Sequence, residues 1–460
     1  MDYCDIEATN HQLVTLAMQN NTISKDDFKK YNIKHGLRNS NGTGVLVGIT
    51  GICNVHGYTI EDGVKIPQEG RLFYRGIDIF DIVRSSDQKP GTRLFEETMF
   101  LLLFGQLPTA CELQSFNQML DEYRNLPAGY TENMILKNPS NDIMNKLQRS
   151  ILVLYSHDER PDDLDMDNLV HQCIKLIARF PTIISYGFQA KRHYYDHQSL
   201  FLHPPQNNLG TAENILYMIR SDNKYTETEA ATLDLALVLH ADHGGGNNSA
   251  FATHVVSSSG TDTYSAISTA VGCLKGPKHG GANIRVREMM LDLNAHVDDI
   301  GDELQIRAYL QKVINREAYD CTGLIYGLGH AVYTKSDPRS VILKEKAREL
   351  AAEKGKLNLF NLYSNVERIG IELLKKAKGE HIDICSNVDL YSGLVYQLLD
   401  IPQELYTPLF AVARVAGWCA HRIEQVMSDN KIIRPAYVCI SEEKEYVPME
   451  KREDSTILPL

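Results

Sequence analysis

From Arg93 to Met427 one segment after another carries apolar residues at three- and four-residue spacing, and that periodicity commits most of the chain to helices. In Arg93–Phe104 the apolar face is Leu94, Phe95, Met99, Leu102 and Leu103, and it stops at Gly105 with Pro108 close behind. Ala110–Asn125 and Asn141–Leu154 repeat the pattern. Leu169–Arg179 follows and is expected to end at Pro181, which removes a backbone donor. Thr226 and Glu229 make a capping box ahead of an apolar helix that runs to Leu239. Asp262 caps Thr263–Lys275, and Asp337-Pro338 opens Arg339–Lys354. Ala282–Val297, Glu303–Arg316, Leu359–Lys378, Leu390–Leu399 and Leu405–Met427 complete the set. Only Gly44–Val55 and Val64–Tyr74 read as strands, a small antiparallel unit with a turn expected at Gln68-Glu69-Gly70. The expected class is mainly α, multi-helical, with one small N-terminal β unit.

A chain of 460 residues exceeds one ordinary core, so two or more domains are expected. The net charge of −12 argues against nucleic acid as a partner and requires a local arginine cluster if the ligand is a small anion. Nine cysteines without a CxxC pair read as reduced, mostly buried thiols and make no case for a structural zinc site. The N-terminus is polar and acidic, and the apolar runs are far too short to span a bilayer, so a cytoplasmic protein with no membrane partner is expected.

Chemistry concentrates between His240 and Asn283, where His240, His243, His254 and His279 lie among the glycine breaks Gly244–Gly246 and Gly276–Gly281. His240 and His243 have the spacing of a helical metal pair, but no HExxH or matching third ligand accompanies them. His279, His330 and Asp389 all fall beside helix ends next to Gly or Asn. Two imidazoles and a carboxylate are the parts needed to move a proton off carbon while polarising a carbonyl. Pattern alone favours Asp389 as a helix N-cap. Arg339 sits at a helix N-terminus, Arg414 inside the apolar FAVARVAGW, and Arg434 before Pro435. Buried Arg414 needs a carboxylate, either a protein acid or a substrate acid. GLGH fits neither GxGxxG nor the P-loop spacing. The residues alone reach a helical cytosolic enzyme for acid–base chemistry on a small anionic carbonyl compound.

LHADHGGGN, GPKHGGAN, GLGHAVYTKSDPR, NVDLYSG and FAVARVAGW with the later RP occur in an order that resembles the citrate synthase family. Softer matches in RLFYRGIDI and LLLFGQLPT extend the resemblance over roughly residues 44 to 440. It implies a two-domain helical homodimer. The large domain would be 1–280 plus 401–460, with the β unit at about 44–75, and 281–400 would form a small mobile domain. It implies condensation of acetyl-CoA with oxaloacetate and hydrolysis of citryl-CoA to citrate and CoA, the entry to the tricarboxylic acid cycle. Asp389 would take the methyl proton, His279 would stabilise the enol and His330 would polarise the ketone. His243, Arg339, Arg414 and Arg434 would hold oxaloacetate, Arg434 from across the dimer interface. Gly276, Gly329 and Lys335 would meet CoA. The resemblance implies no metal and no cofactor, the CoA thioester being a substrate. Two departures stand out. Gly244 replaces the family's usual Glu and is expected to loosen the loop beside His243. Thr334 replaces a basic residue common in the family. The alternatives are a 2-methylcitrate synthase using propionyl-CoA and a non-catalytic helical regulatory dimer.

Overall fold

The structure, a computed structural model, describes residues 6–62, 64–87, 93–379, 381–428 and 431–452. Internal contacts divide the chain into two compact units, 1–47 with 434–460 and 48–433. The first unit holds helices α1 (Ile6–Asn20) and α2 (Lys25–Lys30), the latter capped by Ser24, and its C-terminal stretch is irregular up to a short 3-10 turn at Met449–Lys451.

The second unit opens with strands β1 (Cys53–Glu61), β2 (Val64–Tyr74) and β3 (Ile77–Asp78) in one antiparallel sheet of order β1-β2-β3. Helices α3 (Ile79–Asp87), α4 (Leu94–Phe104), α5 (Ala110–Tyr123), α6 (Ile143–Leu154), α7 (Met166–Tyr194) and α8 (Thr211–Ile219) follow. Next come α9 (Glu227–His240), α10 (Asn248–Ser257), α11 (Thr263–Lys275), α12 (Ala282–His296) and α13 (Glu303–Ile314). The last are α14 (Pro338–Glu353), α15 (Leu357–Lys378), α16 (Val388–Leu398) and α17 (Tyr406–Met427). Among the described residues no helix is long and apolar enough to cross a membrane.

Helix starts follow local chemistry. Thr226 and Glu229 form the expected capping box, and Asp262 and Asp337 accept the expected N–H groups of Ser265 and Arg339. The centre of the unit is α17, buried on all sides from Tyr406 to Ile423 and packed on α4, α7, α9, α10 and α11. Gly417 permits this: a Cβ there would lie 2.5 Å from Ala241 O, at the end of α9.

Three local expectations fail for tertiary reasons. The helix expected to stop at Pro181 runs on to Tyr194, because α7 is buried over most of its length and packing offsets the roughly 3 kcal/mol that an internal proline costs. Residues 44–52 are not strand; β1 begins only at Cys53, where the partner strand is long enough to pair. The hairpin turns between Glu61 and Val64, with Asp62 at φ 49°, and Gln68-Glu69-Gly70 lies within β2 instead.

Gly70 serves a close approach rather than a turn. A Cβ there would lie 2.0 Å from Ser336 O, and one at Gly57 would lie 2.8 Å from Val332 O. The loop after His330 therefore rests on the bare hairpin, fastened by Gly70 N–H to Ser336 Oγ (3.1 Å) and Tyr333 Oη to Arg71 O (3.3 Å). Gly70→Ala is expected to lower Tm by several degrees, because backbone on both sides must move. Gly48→Ala, with nothing within 4 Å and an ordinary φ, is expected to leave Tm within about a degree. Thermal unfolding of the two variants checks this.

Candidate active site

Two loops are tied together before any catalytic side chain is considered. Leu328 and Ser386 form an isolated antiparallel bridge. Gly329 N–H reaches Cys385 O at 2.8 Å, Asn387 N–H reaches Gly327 O at 2.9 Å, and Asn387 Nδ2 reaches Gly329 O at 2.8 Å. Gly327 stands at φ 86°, and a Cβ there would strike Leu390 at 2.9 Å. Asn387 also caps α16, its Oδ1 accepting Asp389 N–H at 3.1 Å. The cap is thus Asn387. The carboxylate of Asp389 makes no hydrogen bond among the described residues. Burial pushes its pKa up to about 6, with Asp337 adding to the rise and Arg339 and Arg414 opposing it.

His330 follows the tie by one residue. Its Nδ1 accepts from Val332 N–H at 3.0 Å and Tyr333 N–H at 3.1 Å, so the imidazole proton belongs on Nε2. The ring stacks on Tyr333 (centroids 4.9 Å) and meets His243 edge-on (5.2 Å). His243 lies past the end of α9, and burial holds its pKa well below the usual value. The charges that push it the same way belong, in order of size, to Arg339, His330, Arg414 and His279, so these groups surround one space.

The loop that bears His243 is pinned, contrary to the expectation for Gly244. Gly244, at φ 76°, donates to Asp242 Oδ2 at 3.1 Å, and His421 Nε2 sits 3.2 Å from the same oxygen. Burial would raise Asp242, but charged His421 and Arg414 bring it down to about 2.

His279 lies in the turn after α11, where its N–H bonds Gly276 O at 2.9 Å. Its Nε2 is 2.9 Å from Ser249 Oγ on α10, and that oxygen accepts from Trp418 Nε1 at 3.1 Å. Burial, then Arg414, bring His279 down to about 4, so it is a neutral imidazole at working pH.

The two buried arginines differ. Arg339 closes a forked pair on Asp337 (Nε–Oδ1 3.0 Å, Nη2–Oδ2 2.7 Å), and Asp337 also takes Val388 N–H at 3.2 Å. Arg414 donates Nε to His240 O at 2.7 Å and lies over Phe410, while its Nη2 is buried without a partner. No protein acid pairs with Arg414 among the described residues, and burial lowers its pKa.

The structure thus gathers His243, His279, His330, Asp389, Arg339 and Arg414. Arg434 is exposed and belongs to the unit of residues 1–47 and 434–460. Lys335 is exposed, Gly276 closes α11 at an ordinary φ, and Gly329 stands at φ 88°. Sequence reasoning missed Tyr333, Ser249, Trp418 and the capping role of Asn387. Only Asn387 had a local signal, its place before a helical run. The ring nitrogens of His254 contact Gln425 and His421.

A mainly helical scaffold that sets a raised-pKa carboxylate among neutral imidazoles and buried arginines defines an acid–base enzyme for a small anionic carbonyl compound. The family description "Citrate synthase, C-terminal domain" matches residues 40–436. The chain is 35% identical to citrate synthase of Synechocystis sp. over 385 residues, 84% of this chain and 89% of that protein. It is 32% identical to 2-methylcitrate synthase 1 of Corynebacterium glutamicum over 415 residues, 89% of this chain and 98% of that one. Its fold matches the ternary complex of carboxymethyl coenzyme A and oxaloacetate with citrate synthase from Thermoplasma acidophilum. The TM-score is 0.74 at 27% identity, covering 91% of this chain and 99% of that one. The chain belongs to the citrate synthase family, a family of transferases.

The raised carboxyl has a consequence for stability. A group whose folded pKa lies above its unfolded value destabilises the fold as pH rises from 3.8 to about 6, and the loss is complete above that. Asp389→Asn is therefore expected to melt above wild type at pH 8 and to match it below about pH 4. Equal shifts at both pH values in thermal melts would contradict the burial of this carboxyl.

Proposed function

We propose that this protein is a citrate synthase: it condenses acetyl-CoA with oxaloacetate and hydrolyses citryl-CoA to citrate and CoA. The observation that carries this reading is Asp389, a carboxylate spared from capping, with its pKa near 6, in the same space as two neutral imidazoles and two buried arginines. Asp389 takes a proton from the acetyl methyl group. His279 hydrogen-bonds the thioester oxygen as the enol forms, its ring held by the contact of Nε2 with Ser249 Oγ. Trp418 N–H donates to Ser249 Oγ and the Ser249 hydroxyl reaches Asn247 Oδ1 at 2.9 Å, so the oxygen that faces His279 Nε2 is held from two sides. The enol carbon attacks the oxaloacetate ketone while His330 Nε2–H protonates the oxygen that becomes the alcohol. Water then cleaves the thioester. Arg414 Nη2, which forms no ion pair with a protein acid, and the remaining edge of Arg339 hold the oxaloacetate carboxylates beside His243. Gly276, Gly329 and Lys335 take the CoA side. All the proposed steps use side chains and the two substrates, with no added cofactor.

The reading includes closure of residues 281–400 over the substrates, supported by the hydrogen bonds that hold the loop after His330 against the β hairpin. It includes a cytoplasmic homodimer at the entry of the tricarboxylic acid cycle. The dimer is supported by Leu46 and Ile49, 97% and 99% exposed, and by the apolar residues of the irregular C-terminal stretch, which call for a covering surface. The eight described cysteines are free thiols, as a reducing compartment requires.

Release of free CoA thiol from acetyl-CoA and oxaloacetate tests the activity. Its kcat/KM is expected to rise through about pH 6 as Asp389 loses its proton. Asp389→Ala is expected to lose roughly 100- to 10,000-fold; full activity in that variant would refute the mechanism. The second reading, 2-methylcitrate synthase, is favoured by the full-length match to the Corynebacterium protein. The same groups serve both reactions, and one methylene is worth only about 1–3 kcal/mol. A higher kcat/KM for propionyl-CoA than for acetyl-CoA would decide for it.

Arg434 has its own test. Asp389→Ala and Arg434→Ala chains are each expected to be inactive alone. If Arg434 acts across the dimer, co-refolding the two regains activity, because one site of each mixed dimer has both residues. If the two act in one chain, no mixture recovers.

A further inference from the structure

Behind the His243 loop lies a second cluster that the condensation does not use. His254 on α10 and His421 and Glu424 on α17 bring three ligand atoms within 4.8 Å of one another. His254 Nε2 is 3.1 Å from His421 Nδ1, and His421 Nδ1 is 3.9 Å from Glu424 Oε2. Nitrogens on one tetrahedral zinc, each about 2.0–2.1 Å from the metal, stand about 3.3 Å apart, so the imidazoles need almost no movement. We propose that His254, His421 and Glu424 form a binding site for a divalent transition metal, with zinc the best match to two imidazoles and a carboxylate.

Each ligand has its far atom fixed, as metal ligands do. His421 Nε2 donates to Asp242 Oδ2 at 3.2 Å, and His254 Nδ1 donates to Gln425 Oε1 at 2.8 Å. Glu424 Oε1 accepts Gly51 N–H at 2.7 Å, while its Oε2 is buried with no hydrogen-bond partner. Room comes from Gly245: a Cβ there would lie 3.4 Å from His254 Nε2 and 3.6 Å from His421 Cε1. Charge agrees as well. Two carboxylates, Asp242 and Glu424, face the spot. Two cations lie near: Arg75, which gives its Nε and Nη2 to Leu102 O at 3.0 and 2.8 Å and also attracts Glu424, and Arg414, which bonds His240 O and also attracts Asp242. A dication would balance the two acids. The protein-only solution is a protonated His421 between them. A metal here would join α10, α17 and the chain before β1, and it would hold Asp242, the residue preceding His243. It is a structural or regulatory site, distinct from the proposed catalytic steps.

The test is direct binding to the full-length chain, stripped with chelator and dialysed, in the absence of substrates. Failure of the citrate synthase reading would not alter its outcome. Calorimetric titration with zinc chloride is expected to show one equivalent per chain, and Co(II) to give the visible absorption of a tetrahedral N/O site. His254→Gln and Glu424→Gln are each expected to weaken zinc by roughly tenfold or more. Glu424→Gln keeps an acceptor for Gly51, and His254→Gln shortens a half-buried side chain, so a metal-free melt shows which variant is folded and fit to decide. Absence of saturable zinc binding, or wild-type affinity in the folded variants, overturns the proposal in favour of the protonated His421.

Discussion

The active site depends on three hydrogen bonds between residues 327–329 and 385–387. They make a strand-like bridge one residue pair long, where no regular sheet exists. His330 leaves one end of this tie and Asp389 the other, so the distance between the two groups is set by backbone rather than by flexible side chains. Asp337 extends the tie. By accepting Val388 N–H, Arg339 N–H and the Arg339 guanidinium, one carboxylate joins the starts of α14 and α16. The first N–H groups of both helices are thereby taken by Asp337 and Asn387 rather than left open.

The electrostatics follow from burying opposite charges together. The chain is acidic overall, yet the site gathers two arginines and three imidazoles. Burial first, and behind it the arginines that would hold carboxylates, keep His243 and His279 neutral: Arg339 and Arg414 act on His243 and Arg414 on His279. For Asp389, burial outweighs the arginines and raises the carboxyl. Neutral hydrogen-bond donors and a weakly acidic base are thereby produced by one environment, without separate devices for each group.

Helix starts were legible because their chemistry is local. Thr226, Asp262 and Asp337 each satisfy an N–H two or three residues away, and that spacing is visible in the chain itself. Local reasoning failed where distant packing outweighed it. Pro181 sits inside α7 because neighbours bury that helix, and Gly70 sits mid-strand because Ser336 needs the room. By pattern Asp389 looked more like a cap than a base, but Asn387 holds the cap. Ser249 and Trp418 carried no signal at all: their roles come from contacts 30 or more residues away in sequence, Ser249 with His279 and Trp418 with Ser249, while the stacking of Tyr333 on His330, three residues away, depends on an irregular loop that no periodicity marks.

By itself the sequence determined the helical class, most helix boundaries and the residue types of the chemistry, because periodicity and capping act over three or four residues. It also carried the family resemblance, through five motifs in order. Tertiary structure decided which of those residues face one another, the tautomer of His330, the neutrality of His279 and the raised pKa of Asp389. The His330 tautomer comes from the fold of its own loop, which brings Val332 and Tyr333 N–H to Nδ1, and the other two properties arise from burial and from charges brought together from distant parts of the chain, so no helical periodicity encodes them.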